Sequence, residues 1–279
     1  MYAPRVRIFL VIALLFAWIA TSAFFIYRNR KGFCSFIARR TSATLHCPLR
    51  AISLKEAAEL LRTRKDKEAL EIIEIILSQE PDDIVALCGK AEILRRNGNL
   101  QEAQVLLKQI LTKNPDYISA SLSLAYIRFQ ENKLDESLDM VNKVLGSGCA
   151  DNEEEGLAYT LLGAINGKRA QKGWFFTKLK YGTQIQCYFL KAKELGPELP
   201  EVRLGLGSFY LLAPQFVGGD LNKALPELEY TVKIAPDFAT ANARLAQAYK
   251  KKGNLEKYNF YIKRAKELDP NNEVLKEIR

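Results

Sequence analysis

The sequence predicts an all-α protein: a solenoid of about six helix–turn–helix repeats that follows one N-terminal transmembrane helix. Three observations lead to this fold class. Prolines recur at a 34-residue interval, small and large apolar residues recur in register with them, and a long charge-free segment lies near the N-terminus. Periods of this length are typical of solenoids, in which each repeat buries its apolar face against the next.

The transmembrane prediction rests on 8–27, IFLVIALLFAWIATSAFFIY, in which none of twenty consecutive residues is charged. At about 1.5 Å per residue, a helix of this length spans the ~30 Å hydrocarbon core of a bilayer. The alternative is a signal peptide cleaved near 21–23, but the apolar run is longer than the usual core of about 7–15 residues. We therefore favour an uncleaved single-pass anchor, with a short basic tail at 1–7 and a basic linker at 28–49.

The net charge of +9 is concentrated in this N-terminal segment. Residues 1–50 contain eight basic residues and no acidic one, whereas the other 33 basic residues are balanced by 32 acidic ones. The repeat region is therefore nearly neutral, which argues against nucleic acid as a partner. The larger basic cluster follows the anchor, so the positive-inside rule favours a cytoplasmic repeat domain. A basic N-terminal tail is also a feature of the opposite orientation, and that alternative stays open.

The repeat register is set by prolines that close similar segments: LSQEP, LTKNP, VKIAP and KELDP. Proline ends a helix because it cannot donate the next backbone hydrogen bond. Two helices approach closely only where a small residue on one faces a large residue on the other. The small column contains Ala91, Ala125, Gly163, Gly207 and Ala246, and the large column contains Ile73, Leu107, Val141, Phe189, Leu228 and Ile262.

These columns and the closing proline resemble the tetratricopeptide repeat, a helix–turn–helix unit of 34 residues. The resemblance implies a right-handed α-solenoid over 50–272 and a non-enzymatic role as a protein-binding scaffold. A short capping helix is expected at 273–279, because the end of a solenoid needs a polar cover. The repeats are predicted near 50–83, 84–117, 118–151, 156–199, 200–238 and 239–272, with insertions in the fourth and fifth.

In this family the first helices of the repeats line a concave groove that binds a protein or peptide partner. Members that hold chaperone C-termini use Lys and Asn in the groove columns. This chain has residues such as Cys88 and Glu92 there, so that subtype is not expected. The alternative for Tyr126 and Phe129 is that they only pack against neighbouring helices. The residues that the resemblance places in the groove are Leu122, Tyr126, Phe129, Leu204, Ser208, Leu211, Gln247 and Lys250.

The insertion in the fourth repeat, GKRAQKGWFFTKLKY at 167–181, mixes aromatic and basic residues. Such a mixture is typical of a membrane interface and would equally suit an acidic partner. The alternative is that the aromatic side chains fill the enlarged hairpin while the lysines stay in water. The residues predicted to contact the membrane or an acidic partner are Lys168, Arg169, Lys172, Trp174, Phe175, Lys178 and Lys180.

A second interruption, PQFVGGD at 214–220, is expected to end one helix at Pro214 and to cap the next with Asp220. It is similar to the Pro…Gly-Gly-Asp loop of membrane-associated tetratricopeptide proteins, including T-components of TRAP transporters. The lipobox usual for those components is missing. This similarity implies an alternative function, a periplasmic accessory protein of a transport or envelope-assembly system.

The sequence contains no catalytic motif: nucleotide-binding loops, the GxSxG nucleophile turn and HExxH are all missing. The single histidine, His46, excludes metal sites that need paired imidazoles. We therefore expect neither enzyme activity, nor a cofactor, nor a bound metal. Self-association through the ends of the solenoid is a further alternative.

Overall fold

The structure is a computed structural model that describes residues 48–172 and 175–278. Within these ranges the regular secondary structure is entirely helical. The predicted anchor at 8–27 and the basic tail at 1–7 lie outside the described residues. Among the helices that are described, none combines the length and apolar character that a membrane span requires.

The described residues form thirteen α-helices. The first seven are α1 (Pro48–Arg62), α2 (Asp66–Gln79), α3 (Ile84–Arg96), α4 (Leu100–Lys113), α5 (Ile118–Gln130), α6 (Leu134–Ser147) and α7 (Asn152–Lys172). The others are α8 (Phe175–Leu195), α9 (Pro200–Leu212), α10 (Leu221–Ile234), α11 (Ala239–Lys252), α12 (Leu255–Leu268) and the short α13 (Glu273–Glu277). Residues 48–145 and 150–278 belong to one compact unit, which excludes Gly146–Cys149.

Consecutive helices pair as six hairpins, α1–α2 to α11–α12, and α13 packs against the last of them. The predicted columns meet in these pairs: Ala91, Ala125 and Ala246 are fully buried, as are Leu107 and Leu228. Ser137 is a polar residue at such a contact, and its hydroxyl donates to the carbonyl oxygen of Ala125 at 2.8 Å. The predicted fold class, an all-helical solenoid of tetratricopeptide-like hairpins, is thus confirmed for the described residues.

The fourth hairpin is longer than the others because the insertion extends both of its helices. α7 and α8 each have 21 residues, against 13 to 15 in the other paired helices. α7 begins at Asn152, whereas the repeat boundary was expected near 156. The reason is a capping box: Asp151 Oδ1 accepts from the backbone N–H of Glu154 at 2.8 Å, and Glu154 Oε2 accepts from the N–H of Asp151 at 3.1 Å.

The interruption at 214–220 forms a folded loop. Its 3₁₀ turn, Gln215–Val217, buries Val217, and the Asp220 side chain caps α10 by accepting from the N–H of Asn222 at 2.9 Å, as expected. A β-carbon on Gly182 of α8 would lie 2.2 Å from Val217 Cγ1. The loop is therefore held against the fourth hairpin.

Phe189 of α8 links two hairpins, because its ring fits between glycines of α7 and α9. A β-carbon on Gly163 would lie 2.8 Å from Phe189 Cζ, and one on Gly205 would lie 2.5 Å from Cε1. The ring is 5% exposed. The two glycines leave room for an aromatic side chain where other hairpins use an aliphatic one.

We expect Phe189→Ala to lower the free energy of unfolding by about 3–5 kcal/mol, since it leaves a cavity between two hairpins. Urea denaturation of the detergent-solubilised full chain, followed by circular dichroism, measures this. The matched control is Phe216→Ala, whose side chain is 71% exposed and should cost less than about 0.5 kcal/mol. Similar losses for both variants would contradict this account of the packing.

Candidate binding site on the concave face

Residues from non-adjacent repeats meet on one side of the stack of hairpins. Arg64, in the turn between α1 and α2, donates from Nη2 to Oε1 of Glu201 in the first turn of α9 at 2.6 Å, across 137 residues of sequence. The Arg64 guanidinium carbon also lies 3.9 Å from the ring centroid of Phe238, which precedes α11. Distant repeats can approach one another only on the inner side of a curved stack, so these contacts mark the concave face.

The last turns of α3 supply an ion-pair cluster to this face. Glu92, Arg95 and Arg96 lie at i, i+3 and i+4, which places them on one side of the helix. The Glu92 carboxylate accepts from Nε and Nη2 of Arg95 at 2.8 and 2.6 Å and from Nε of Arg96 at 2.9 Å. Ser123 of α5 adds a longer contact to Glu92 at 3.4 Å.

Arg96 extends the cluster beyond α3. Its Nη1 donates to Asp66 Oδ1 at 2.7 Å and to the carbonyl oxygen of Leu61 at 2.8 Å. Its Nη2 lies 3.5 Å from Oε1 of Glu201. We use the name concave cluster for the six charged residues that converge here, three basic and three acidic: Arg64, Asp66, Glu92, Arg95, Arg96 and Glu201.

In the concave cluster, the attraction between opposite charges offsets the effect of burial on the pKa values, so the side chains stay charged. Burial alone would raise the pKa of Glu92, but the charges of Arg95 and Arg96 outweigh it and hold that pKa well below its usual range. Burial, together with the like charge of Arg96, lowers the pKa of Arg64 to about 10, so Arg64 stays protonated at neutral pH. Arg64 Nε is buried and has no hydrogen-bond partner among the described residues.

Tyr126 and Phe129, the predicted groove aromatics of α5, are both partly buried. The Tyr126 ring centroid lies 5.0 Å from the guanidinium of Arg95, and burial together with the charge of Glu201 raises the pKa of its hydroxyl. Lys168 of α7 covers Phe129, with Nζ 4.0 Å from the ring centroid and 3.1 Å from the Phe129 carbonyl oxygen. Tyr126 therefore borders the concave cluster, whereas Phe129 contacts the fourth hairpin.

The other predicted groove residues divide by burial. Leu122 and Leu211 are buried in the hydrophobic core and support the first helices from within. Leu204 and Ser208 are partly exposed. Gln247 accepts from Nη1 of Arg244 at 2.9 Å. The exposed Lys250 donates to the carbonyl oxygen of Ile278 at 3.0 Å.

The predicted contact residues of the insertion are only partly described. Arg169 forms an ion pair with Asp135, and Lys168 contacts Phe129, so both bind the neighbouring third hairpin. The side chains of Lys172, Phe175, Lys178 and Lys180, and all of Trp174, lie outside the described residues. A membrane or acidic-partner contact for this segment stays a prediction.

Sequence reasoning missed Arg64, Glu201 and Phe238, yet Arg64 leaves a recognisable signal. It occupies the turn position taken by Gly98, Asn132 and Gly253 in other hairpins, and all four have a left-handed backbone, with φ of 67°, 83°, 62° and 81° respectively. Glycine and asparagine tolerate this conformation, whereas for other residues it costs about 1–2 kcal/mol. An arginine at a position that favours glycine indicates that its side chain makes a contact that offsets the cost of the left-handed backbone.

A possible metal site and the thiol of Cys88 are the chemical features to consider in the described residues. Within 48–172 and 175–278, no group of three or more His, Cys, Asp or Glu side chains could hold a metal ion. Cys88 is a free thiol, and burial together with the charge of Glu92 raises its pKa to about 12, so it stays protonated and is a poor nucleophile.

We expect Glu92→Gln to lower the free energy of unfolding by about 3 kcal/mol at pH 7, because it leaves two mostly buried arginines without their shared partner. A lowered carboxyl pKa stabilises the fold above the unfolded value of about 4.3, and that contribution is lost as the pH falls below it. The difference between wild type and variant should therefore be constant above about pH 5.5 and shrink below about pH 4.

Urea titrations of the full chain between pH 7 and 3 measure this difference. Glu194→Gln is the control, because it removes a carboxylate from the exposed Lys191–Glu194 pair and should cost less than about 0.5 kcal/mol. A cost for Glu92→Gln that does not change with pH would show that the charge of Glu92 is not what stabilises the cluster.

Comparison with known proteins agrees with this architecture. Two segments, 94–148 and 239–272, match the tetratricopeptide repeat family. A search of curated protein sequences gives no match.

Among solved structures, the chain is similar to human IFIT1, described as a dimer with m7Gppp-AAAA, with 17% identity, a TM-score of 0.56, and coverage of 92% of this chain and 58% of that one. It is also similar to the type IV pilus biogenesis factor PilW, with 18% identity, a TM-score of 0.46, and coverage of 84% and 99%. It is likewise similar to pilF of Pseudomonas aeruginosa, with 14% identity, a TM-score of 0.44, and coverage of 82% of this chain and 95% of that one. At these identities the similarities concern the fold alone. Segments 94–148 and 239–272 thus match the tetratricopeptide repeat, and the described helices pair as hairpins of the same kind.

Proposed function

We propose that this protein is a non-enzymatic scaffold that binds a partner protein or peptide on the concave face of its repeats. Repeats of this kind expose extended concave surfaces that serve for binding. The observation that carries the proposal is the position of Tyr126, an aromatic side chain that borders the concave cluster on the inner side of the stack. Aromatic residues and arginines are enriched among the side chains that dominate binding energy at interfaces.

The concave face favours a partner that offers both apolar and hydrogen-bonding groups. The three basic residues of the concave cluster are matched by three acidic ones, so the cluster itself has no net charge to attract a strongly charged ligand. Farther along, Leu204 is apolar and partly exposed, and Gln247 and Lys250 are polar. An amphipathic peptide segment would match a face on which apolar and polar side chains follow one another in this way.

The double variant Tyr126→Ala/Phe129→Ala is expected to weaken partner binding by about 30-fold or more, as for the loss of central aromatic residues at an interface. Chemical cross-linking and affinity capture with the tagged full chain identify the partner, and titration with that purified partner measures the loss. The control, Phe216→Ala/Phe260→Ala, removes aromatics that are 71% and 66% exposed elsewhere. Unchanged affinity in the first variant, with its thermal stability retained, would show that binding occurs elsewhere.

We also propose that 8–27 tethers the scaffold to a membrane, with the repeat domain on the cytoplasmic side. The support is the length of the charge-free run and the basic cluster that follows it. The full chain should remain in the membrane fraction after carbonate extraction, whereas a chain that lacks 8–27 should appear in the supernatant. A fluorescent protein fused after Arg279 should fluoresce, and an active phosphatase at the same position would contradict this orientation.

The periplasmic accessory function is the second candidate, and its support is the similarity of the 214–220 sequence to the loop of membrane-associated tetratricopeptide proteins. The loop is held against α8 through Val217, and its Asp220 caps α10. A phosphatase-active fusion would favour this candidate over the cytoplasmic scaffold. Discrete oligomers of the detergent-solubilised chain in light scattering would instead favour self-assembly.

A further inference from the structure

The ends of the described solenoid are joined by side chains rather than by helix packing. The Arg64 guanidinium, from the first hairpin, reaches Glu201 of the fifth hairpin and Phe238 at the start of the sixth. Arg96 adds a contact to Glu201 at 3.5 Å. The hydrophobic clusters around Ile73 and around Leu228 join neighbouring hairpins, and neither cluster includes Arg64, Glu201 or Phe238. Release of these side-chain contacts would therefore leave every hairpin core intact.

Arg64 has features that set it apart from an ordinary surface ion pair. Its backbone is left-handed at a position where other hairpins use glycine or asparagine, so the turn would be easier to form without it. Its side chain is only 10% exposed, and one of its donors, Nε, is buried and has no hydrogen-bond partner within 48–172 and 175–278. The closed arrangement thus carries a desolvation cost that an open one, with Arg64 in water, does not.

We infer that Arg64 acts as a latch: its contacts with Glu201 and Phe238 hold the concave face closed, and their release opens the solenoid and exposes Tyr126. Arg96 would remain bound to Glu92 of its own helix and to Asp66 of the first hairpin in the open state, so the first two hairpins stay joined. The closed and open states differ by few contacts, which is the condition under which both can be populated. The latch itself needs no partner, and only its consequence for partner access rests on the proposed function.

The test is hydroxyl-radical footprinting of the full chain in detergent, with mass spectrometry of the modified side chains. Arg64→Gly removes the latch and suits the left-handed turn, so the hairpin should still form. We expect the modification rate of Tyr126 to rise about threefold or more. The reason is that the Arg64–Glu201 hydrogen bond and the contact of Arg64 with the Phe238 ring are both lost, so the face can open. Asn132→Gly, the same change at the same turn position of the third hairpin, should leave Tyr126 as protected as in the wild type.

Three outcomes would overturn or redirect the inference. If only Phe238 becomes more reactive, Arg64 covers that ring without closing the face, and the latch is refuted. If Tyr126 stays protected in Arg64→Gly, the latch is likewise refuted. If the buried Phe189 also becomes reactive, the variant has unfolded, and Glu201→Gln, which removes the latch from the other side, decides by the same Tyr126 readout.

Discussion

Close approach between the two helices of each hairpin is the constraint on which the rest of the structure depends. It requires a small side chain at the contact, and Ala69, Ala103 and Ala224 meet this requirement with no exposed surface. Ser137 takes the same role in the third hairpin only because its hydroxyl finds a carbonyl acceptor on α5. A larger residue at these points would separate the helices, and the next hairpin would lose the surface on which it packs.

The interactions that build the hairpins differ in kind from those that join distant ones. Apolar burial forms each hairpin and its contact with the next, and it acts between residues close in sequence. The concave cluster instead uses charged side chains that are mostly buried. Such pairs add little net stability, because removing charges from water costs about as much as their attraction returns. In the proposed latch, their effect would be to favour one arrangement of the repeats over others.

More of the fold than of the concave face could be predicted from the sequence. The packing columns that contain Ala91 and Leu107 could be recognised in the sequence because they repeat every 34 residues. Helix packing requires small and large residues at this spacing. The columns that the family uses for its groove were less informative. Leu122 and Leu211 occupy such columns and are buried, since a helix that contacts neighbours on two sides has a wider buried surface than one column. Glu92 occupies such a column too, but its partners Arg95 and Arg96 follow on the same helix and hold it in an ion-pair network.

The sequence by itself determined the helical hairpins, their period and the places where they touch, because these depend on contacts between residues within about one repeat of each other. Only the tertiary structure decided that Arg64 meets Glu201 and Phe238. That meeting depends on the small rotation between successive repeats, which accumulates over the stack and brings the first hairpin back toward the fifth and sixth. No local sequence pattern specifies the total rotation, since each repeat contributes a small part of it and no single residue encodes it.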